Sequence, residues 1–331
     1  YDINGPEPEV TEEFATGVAR QLVGDPELKI ELLSANTWTV NNFYATRTSN
    51  GRVFCMGDAI HRHPPSNGLG SNTSIQDAFN LAWKLALVLK GQAGERLLDS
   101  YDAERAPVAR QIVTRANQSI TETGPIFAAL GMAEGVDPVQ MQKNLQARTD
   151  GTPAAELQRE AIRKAIAFKK YEFDAHGVEM NQRYRSDAVV TDDQLEPDFQ
   201  LDPELHYQPT TWPGARLPHA WLYRHDDGAE VSTLDLCGHG RFTLLTGLGG
   251  EAWAEAVGKV ARYLGIDLVA HVIGPRQTYV DHSGDWARAS EIKDNGCLLV
   301  RPDHHVCWRA TGLVAQPEAE LARVLRQVLA R

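Results

Sequence analysis

The side chains best placed for chemistry lie in one run, GRVFCMGDAIHRHPPSNGLGSNTSIQDAFNLAWKLALVL, residues 51–89. Residues 53–56 are apolar and read as a short buried strand that ends in Gly57-Asp58. A carboxylate at a strand's carboxyl end sits where open α/β sheets take their ligands. Ionised, Asp58 only accepts hydrogen bonds, so its partners are hydroxyl donors such as those of a sugar or ribityl chain. Pro64-Pro65 stiffens the next step. Gly68 and Gly70 let the backbone approach a flat ring, because no Cβ stands in the way. The spacing predicts a helix over residues 73–89, which puts Ser71 and Asn72 among amides that have no intrahelical partner. Such amides and the helix dipole favour negative charge. Together these groups suit a polyhydroxylated, electron-accepting cofactor. Asp is also at home in turns and caps, so the whole run, not Asp58 alone, carries the reading.

In register, Gly57-Asp58-Ala59-x-His61, Pro64-Pro65, Gly68-x-Gly70-x-Asn72 and Gln76-Asp77-Ala78-x-Asn80-Leu81-x-Trp83-Lys84-Leu85 resemble the second FAD motif of the single-component flavoprotein aromatic hydroxylases. NTWTVNNFYATR, HGVEMNQRY and CLLVRPDHHVCWRAT extend the resemblance along the chain, toward the phenol hydroxylase branch. The resemblance implies FAD as cofactor and NADPH as co-substrate. It also implies hydroxylation of a phenol, a chlorinated one, ortho to its hydroxyl by way of a flavin C4a-hydroperoxide. The cofactor set would be Gly57, Asp58, His61, Pro65, Gly68, Gly70, Ser71 and Asn72. Within it, Asp58 would hold the ribityl hydroxyls, amides near Ser71 and Asn72 would meet the pyrimidine end, and His61 would pack beside the cofactor. The Pro65 carbonyl would lie near the substrate hydroxyl, and Trp38, Asn41 and Tyr44 are candidates for the substrate pocket. Trp38 is at least as well explained as ordinary core, since aromatics usually serve packing. No residue stands out as the base that activates the phenol.

The family's first FAD motif, a strand followed by GxGxxG, does not precede residue 51, and neither does its second dinucleotide signature. The simplest expectation is the carboxyl-terminal part of a longer enzyme, with an active site incomplete by itself.

The elements around this run are ordinary for a globular protein. The chain has 331 residues, 42% hydrophobic and 23% charged, enough for two or three domains. A net charge of -11 argues against nucleic acid and anionic membranes as partners. No apolar run approaches the roughly 20 residues of a membrane span. Cys55, Cys237, Cys297 and Cys307 lack CxxC spacing, which favours reduced thiols and a cytoplasmic setting. His61 and His63 alternate, and His304-His305 lies far downstream. No third ligand completes either pair, so no metal is assigned.

The fold class reads as α/β in four stretches. Residues 1–50 carry a Pro/Glu-rich opening and a capped helix with Phe14, Val18 and Leu22 on one side. Strands over 28–33 and 38–46 then end a substrate-domain sheet. Residues 51–185 hold the FAD-domain strand and helix, then a helical middle with a long helix over 153–170. In the first helix Ile75, Ala78, Phe79, Ala82, Leu85 and Leu89 form the face expected to be buried, and Gln76, Asp77, Asn80 and Lys84 form a thin polar stripe. Tyr101-x-x-Glu104-Arg105-x-Pro107 reads as an ion-paired brace against the FAD domain. Residues 186–215, rich in Asp and Pro, read as a surface linker. Residues 216–331 read as βαβ, a hairpin turning at Pro302-Asp303 and a closing amphipathic helix. That order resembles the thioredoxin-like tail domain of the branch, with a packing role or homodimerisation as its expected job. Gly247-x-Gly249-x-x-Ala252 fits a relaxed dinucleotide fingerprint, but the next strand lacks its terminal acid. Two competing functions stay open: a hydroxylase of a polyketide or hydroxybenzoate, and a non-catalytic binding or dimerisation module.

Overall fold

The computed structural model describes residues 9–133, 135–192 and 194–331, so the opening residues 1–8 lie outside it. It divides into two compact units, Tyr1–Asn41 and Asn42–Arg331. In the first, Thr11 caps the helix Glu12–Val23 by accepting the Phe14 amide at 3.1 Å, and Gly24 closes it in a left-handed conformation. Its expected apolar side, Phe14, Val18 and Leu22, is exposed. The strand expected over 28–33 does not form, because an extended segment becomes a strand only by pairing and no described residue pairs with it.

The second unit opens with two small hairpin pairings. Phe43–Tyr44 pairs with His61–Arg62, the only part of the strand expected over 38–46. Val53–Phe54 pairs with Ser49–Asn50, and Val53 is 64% exposed. The strand before Gly57 is therefore shorter than expected and is not buried.

The central helix runs Leu69–Leu89 and begins four residues before the expected start. Asn67 and Gly68 take consecutive left-handed conformations, φ 66° and 65°, and that break sets the helix origin. Gly70, Ser71 and Asn72 therefore belong to the helix and not to a bend before it.

Its orientation is the larger correction. Ile75, Phe79 and Leu89, expected to be buried, are 67%, 47% and 84% exposed. Asp77, Asn80 and Lys84, of the thin polar stripe, are 0%, 1% and 0% exposed. The ions are buried because a second helix, Asp99–Thr121, and the C-terminal sheet bring matched charges to that side.

The helical middle continues through Gly124–Ala129, Pro138–Ala147 and Pro153–Phe168. Residues 186–215 are not a surface linker throughout. Ala188, Val190, Trp212 and Ala215 are buried, and the Val190 amide donates to the Cys307 carbonyl at 2.7 Å.

The C-terminal part is a four-stranded sheet in the order Val306–Ala310, Cys297–Val300, Phe242–Thr246, Leu268–Val272. The last two strands are parallel and the other neighbours antiparallel. The helix Glu251–Leu264 makes the crossover between the parallel pair. With the closing helix Pro317–Val328 it covers one face, where Trp253, Val257, Leu321 and Leu325 meet Leu244 and Leu299. Trp83 and Leu87 of the central helix enter that same core, each burial contributing roughly 1.5–3 kcal/mol before entropy. A small sheet of Trp221–Arg224, Glu230–Ser232 and Tyr279–Val280, which the sequence did not announce, packs Leu222 against the other face.

Candidate functional site

The turn at Gly57–Ala59 packs on the first turns of the central helix. Gly57 has φ +61°, and a Cβ there would come within 2.9 Å of the Ser74 hydroxyl, so the turn requires glycine. Its amide donates to Asp77 Oδ2 at 3.0 Å. The same oxygen meets His61 Nε2 at 3.0 Å, and Asp77 Oδ1 takes Arg105 Nε at 2.7 Å. Burial alone would raise the Asp77 carboxyl, but His61, Arg105 and the Gly57 amide together hold it below the usual aspartate range. One ionised carboxylate thus pins both ends of the segment that presents Asp58.

Asp58 itself is exposed, and among the described residues its carboxylate accepts no hydrogen bond; only its carbonyl is engaged, by Arg62 Nε at 2.9 Å. Across the turn, the amides of Leu69, Gly70 and Ser71 precede the first i→i−4 bond of the helix. Gly68 and Ser71 are exposed, and a Cβ on Gly68 would meet nothing within 4 Å. A free acceptor and a turn of unspent donors therefore flank one open stretch of backbone. That donor and acceptor set fits the hydroxyls and the electron-rich edge of a flavin.

The other expected residues lie as follows. The Asn72 side chain closes its own helix, donating to the Gly68 carbonyl at 2.9 Å. His61 is 1% exposed and spent on Asp77, so it acts on the loop from beneath and offers no open face to a ligand. The Pro65 carbonyl takes the Gly68 amide at 3.3 Å and keeps a second lone pair. Tyr44 lies directly across from His61 in its strand pair and is 38% exposed. Trp38, 68% exposed, and Asn41 fall in the first unit, and Trp38 is not core.

Three residues that matter here are not placed at the site by the sequence. Asp77 reads there as part of the central helix's thin polar stripe, and Arg105 as part of an ion-paired brace, which its bond to Asp77 matches. His63 drew notice only as half of a histidine pair. Its Nδ1 lies 2.6 Å from the Pro64 carbonyl, so that nitrogen carries the hydrogen, and Nε2 is a buried lone pair beside Gly70 with no partner among the described residues. Burial lowers its pKa. The alternation of Asp77, Asn80, Lys84 at helical spacing with Glu104-Arg105 was the available signal.

The second helix supports the loop from below. Tyr101 Oη donates to the Cys55 carbonyl at 2.8 Å, and Asp102 accepts the Thr48 amide at 2.5 Å and hydroxyl at 2.8 Å. Arg105 adds the Tyr184 hydroxyl at 2.9 Å to its bond with Asp77. Neighbouring Glu104 faces the C-terminal sheet: it takes Arg301 Nη1 at 2.6 Å, Arg301 Nη2 at 2.9 Å and Lys84 Nζ at 2.8 Å. Arg301 completes its fork on Asp303.

Comparison with known proteins bears on this geometry. Residues 1–116 match the family described as FAD binding domain, and residues 210–331 match the family described as aromatic-ring hydroxylase, C-terminal. The chain is 51% identical over 331 residues to 2,4-dichlorophenol 6-monooxygenase of Cupriavidus pinatubonensis (strain JMP 134 / LMG 1197), covering 100% of this chain and 55% of the relative. Against the enzyme of the same name from Delftia acidovorans it is 53% identical, covering 99% of this chain and 56% of the relative. A crystal structure of the flavin-dependent monooxygenase PieE in complex with FAD and substrate superposes with a TM-score of 0.90 at 43% identity, covering 100% of this chain and 56% of that one. The chain spans about half the length of the curated relatives it matches. With both ends matched and identity maintained through the helical residues between them, the chain is similar along its whole length to the FAD-binding aromatic-ring hydroxylases.

Proposed function

We propose that this chain works in an FAD-dependent monooxygenase that hydroxylates a phenol, and specifically a chlorophenol, ortho to its hydroxyl with NADPH and dioxygen. The supporting observation is the 51% and 53% identity to two 2,4-dichlorophenol 6-monooxygenases along essentially the whole chain. FAD, when bound, supplies the redox chemistry, accepting reducing equivalents from NADPH and activating dioxygen for transfer to the ring.

The chain's own residues bind and orient. Asp58 accepts hydroxyls of the ribityl chain, and Asp77 keeps it aimed by fixing Gly57. Amides of Gly70 and Ser71 meet the electron-rich edge of the ring, helped by the helix dipole, which is worth roughly 0.3–1 kcal/mol when exposed and more when water is excluded. Gly68 leaves space for close approach. The free lone pair of the Pro65 carbonyl faces the substrate hydroxyl, and Tyr44 contributes to the pocket wall. We read residues 1–50 as the end of a substrate-domain sheet, 51–185 as the returning FAD-domain segment and 216–331 as a thioredoxin-like domain. The parallel pair joined by a helix and the antiparallel hairpin beside it support that last assignment. Cys237, Cys297 and Cys307 are buried and free, which suits a reducing cytoplasm, and we read the assembly as a homo-oligomer.

The test is product analysis with full-length protein: 2,4-dichlorophenol should stimulate NADPH oxidation and yield the corresponding catechol. Hydrogen peroxide without catechol would overturn the substrate assignment. Catechol-type products from a larger polycyclic substrate only would move the reading to a polyketide hydroxylase.

A further inference from the structure

Glu104 and Arg105 are neighbours on one helix, yet they face two different parts of the protein. Arg105 reaches up to Asp77, which holds the Gly57 amide and the His61 ring. Glu104 reaches across to Arg301 with two short bonds of 2.6 and 2.9 Å, and Arg301 lies on the C-terminal sheet's hairpin. All five side chains, Asp77, Glu104, Arg105, Arg301 and Asp303, are 3% exposed or less.

A second strand of contacts runs in parallel. The Tyr184 hydroxyl accepts from Arg105 Nη1 at 2.9 Å. Its ring stacks on His305 of the same hairpin, with centroids 4.2 Å apart and planes inclined by 23°. Asn80, one turn after Asp77 on the central helix, links the two routes by donating to Glu104 at 2.6 Å and Asp303 at 3.4 Å.

We propose that Arg301 and Tyr184 are positioning residues for the flavin loop: the C-terminal domain sets the aim of Asp58 through the Glu104-Arg105 pair and Asp77. The physical reason is that buried ions cannot relax independently. A guanidinium removed from water must keep its carboxylates, so a displacement of Arg301 moves Glu104, and the rigid helix turn carries Arg105 with it. Asp77 then has to follow or leave Arg105 unpaired. The C-terminal domain thereby acquires a role in cofactor binding without touching the cofactor.

The inference rests on the flavin reading of the Asp58 loop, so the experiment includes a control for that reading. FAD dissociation constants and the visible circular dichroism of bound FAD are measured in full-length protein carrying Arg301→Lys, Tyr184→Phe or Asp58→Asn. Arg301→Lys keeps the charge and loses the fork, and Tyr184→Phe removes only the hydroxyl, so the second serves if the first does not fold. Each should weaken FAD binding roughly three- to tenfold and alter the flavin dichroism, a signature that a merely structural contact would not move. In combination with Asp77→Asn, either should add less than its separate effect, because both act through one route. If Asp58→Asn weakens FAD while folded Arg301→Lys and Tyr184→Phe stay within about twofold of the parent, with unchanged dichroism, the positioning role is overturned. If Asp58→Asn leaves FAD binding unchanged, the flavin reading itself is overturned, and the positioning role falls with it.

Discussion

Replacing Glu104 by Gln and Lys84 by Met should affect stability very differently, although the two side chains form one ion pair at 2.8 Å. Glu104 accepts from Arg301 twice, from Lys84, from Asn80 at 2.6 Å and from Ser186 at 2.7 Å, with its side chain fully buried. Arg301 and Lys84 together hold its carboxyl well below the usual glutamate range, against the opposing effect of burial. Glu104→Gln leaves two buried cations facing Asp303 alone and should cost about 3–5 kcal/mol. Lys84 is in the opposite position. Burial outweighs the pull of Glu104, and Arg301 repels it, so its ammonium is pulled down from 10.5 to about 8. That drop corresponds to about 3 kcal/mol of preference for the neutral amine. Lys84→Met removes this cost while Glu104 keeps Arg301, so the variant should lie within about 1 kcal/mol of the parent or above it. The sign with pH follows from the same shift. Because the folded pKa is depressed, the unfolded chain binds the extra proton between about pH 8 and 10.5. The contribution of Lys84 to stability should therefore rise across that window and be lost again as pH falls through about 8, and Lys84→Met should abolish it. Denaturant unfolding at matched m values gives each number. A loss above about 3 kcal/mol for Lys84→Met, or below about 1 kcal/mol for Glu104→Gln, would refute the assignment of which ion carries the network.

Gly57→Ala should destabilise by about 1–2 kcal/mol, because φ is +61° and the new Cβ meets the Ser74 hydroxyl at 2.9 Å. Adding Ser74→Ala should recover only the steric part, as read by thermal unfolding. Tyr101→Phe should cost about 1 kcal/mol, since the Cys55 carbonyl loses the 2.8 Å bond that anchors the approach to Gly57. Amide hydrogen exchange over residues 53–61 should accelerate in that variant, and unchanged exchange would separate Tyr101 from the loop.

The strands and helices of the C-terminal part were legible because each carries its own signal. Phe242–Thr246 is continuous and apolar, and Pro317–Val328 repeats its apolar residues at helical spacing. The small sheet was not legible: its strands are two to four residues long, and Asp226-Asp227-Gly228 reads as loop until Leu222 is seen packed inside. At the site, the Gly57-Asp58 turn and the glycines announced themselves by residue type. The start of the central helix did not, because consecutive left-handed residues at Asn67 and Gly68 are a tertiary choice that Gly70 would have served as well.

The reversed face of the central helix has a definite physical origin. Periodicity arguments assume that what is buried is apolar, and that holds when the covering surface is apolar too. Here the cover carries Glu104, Arg105, Arg301 and Asp303, and two acids with two bases leave no net charge to pay for in a dry interior. Asp77 and Lys84 then gain more from those partners than Ile75 or Phe79 would gain from facing guanidinium groups. A one-residue turn of the helix axis decides between the two faces, and only the long-range partners, 20 to 223 residues away in sequence, can decide it. The same fact ties the fold to the proposed function: the polar face had to be inward for Asp77 to reach Gly57, and it could be inward only because Arg105 arrives there already paired with Tyr184.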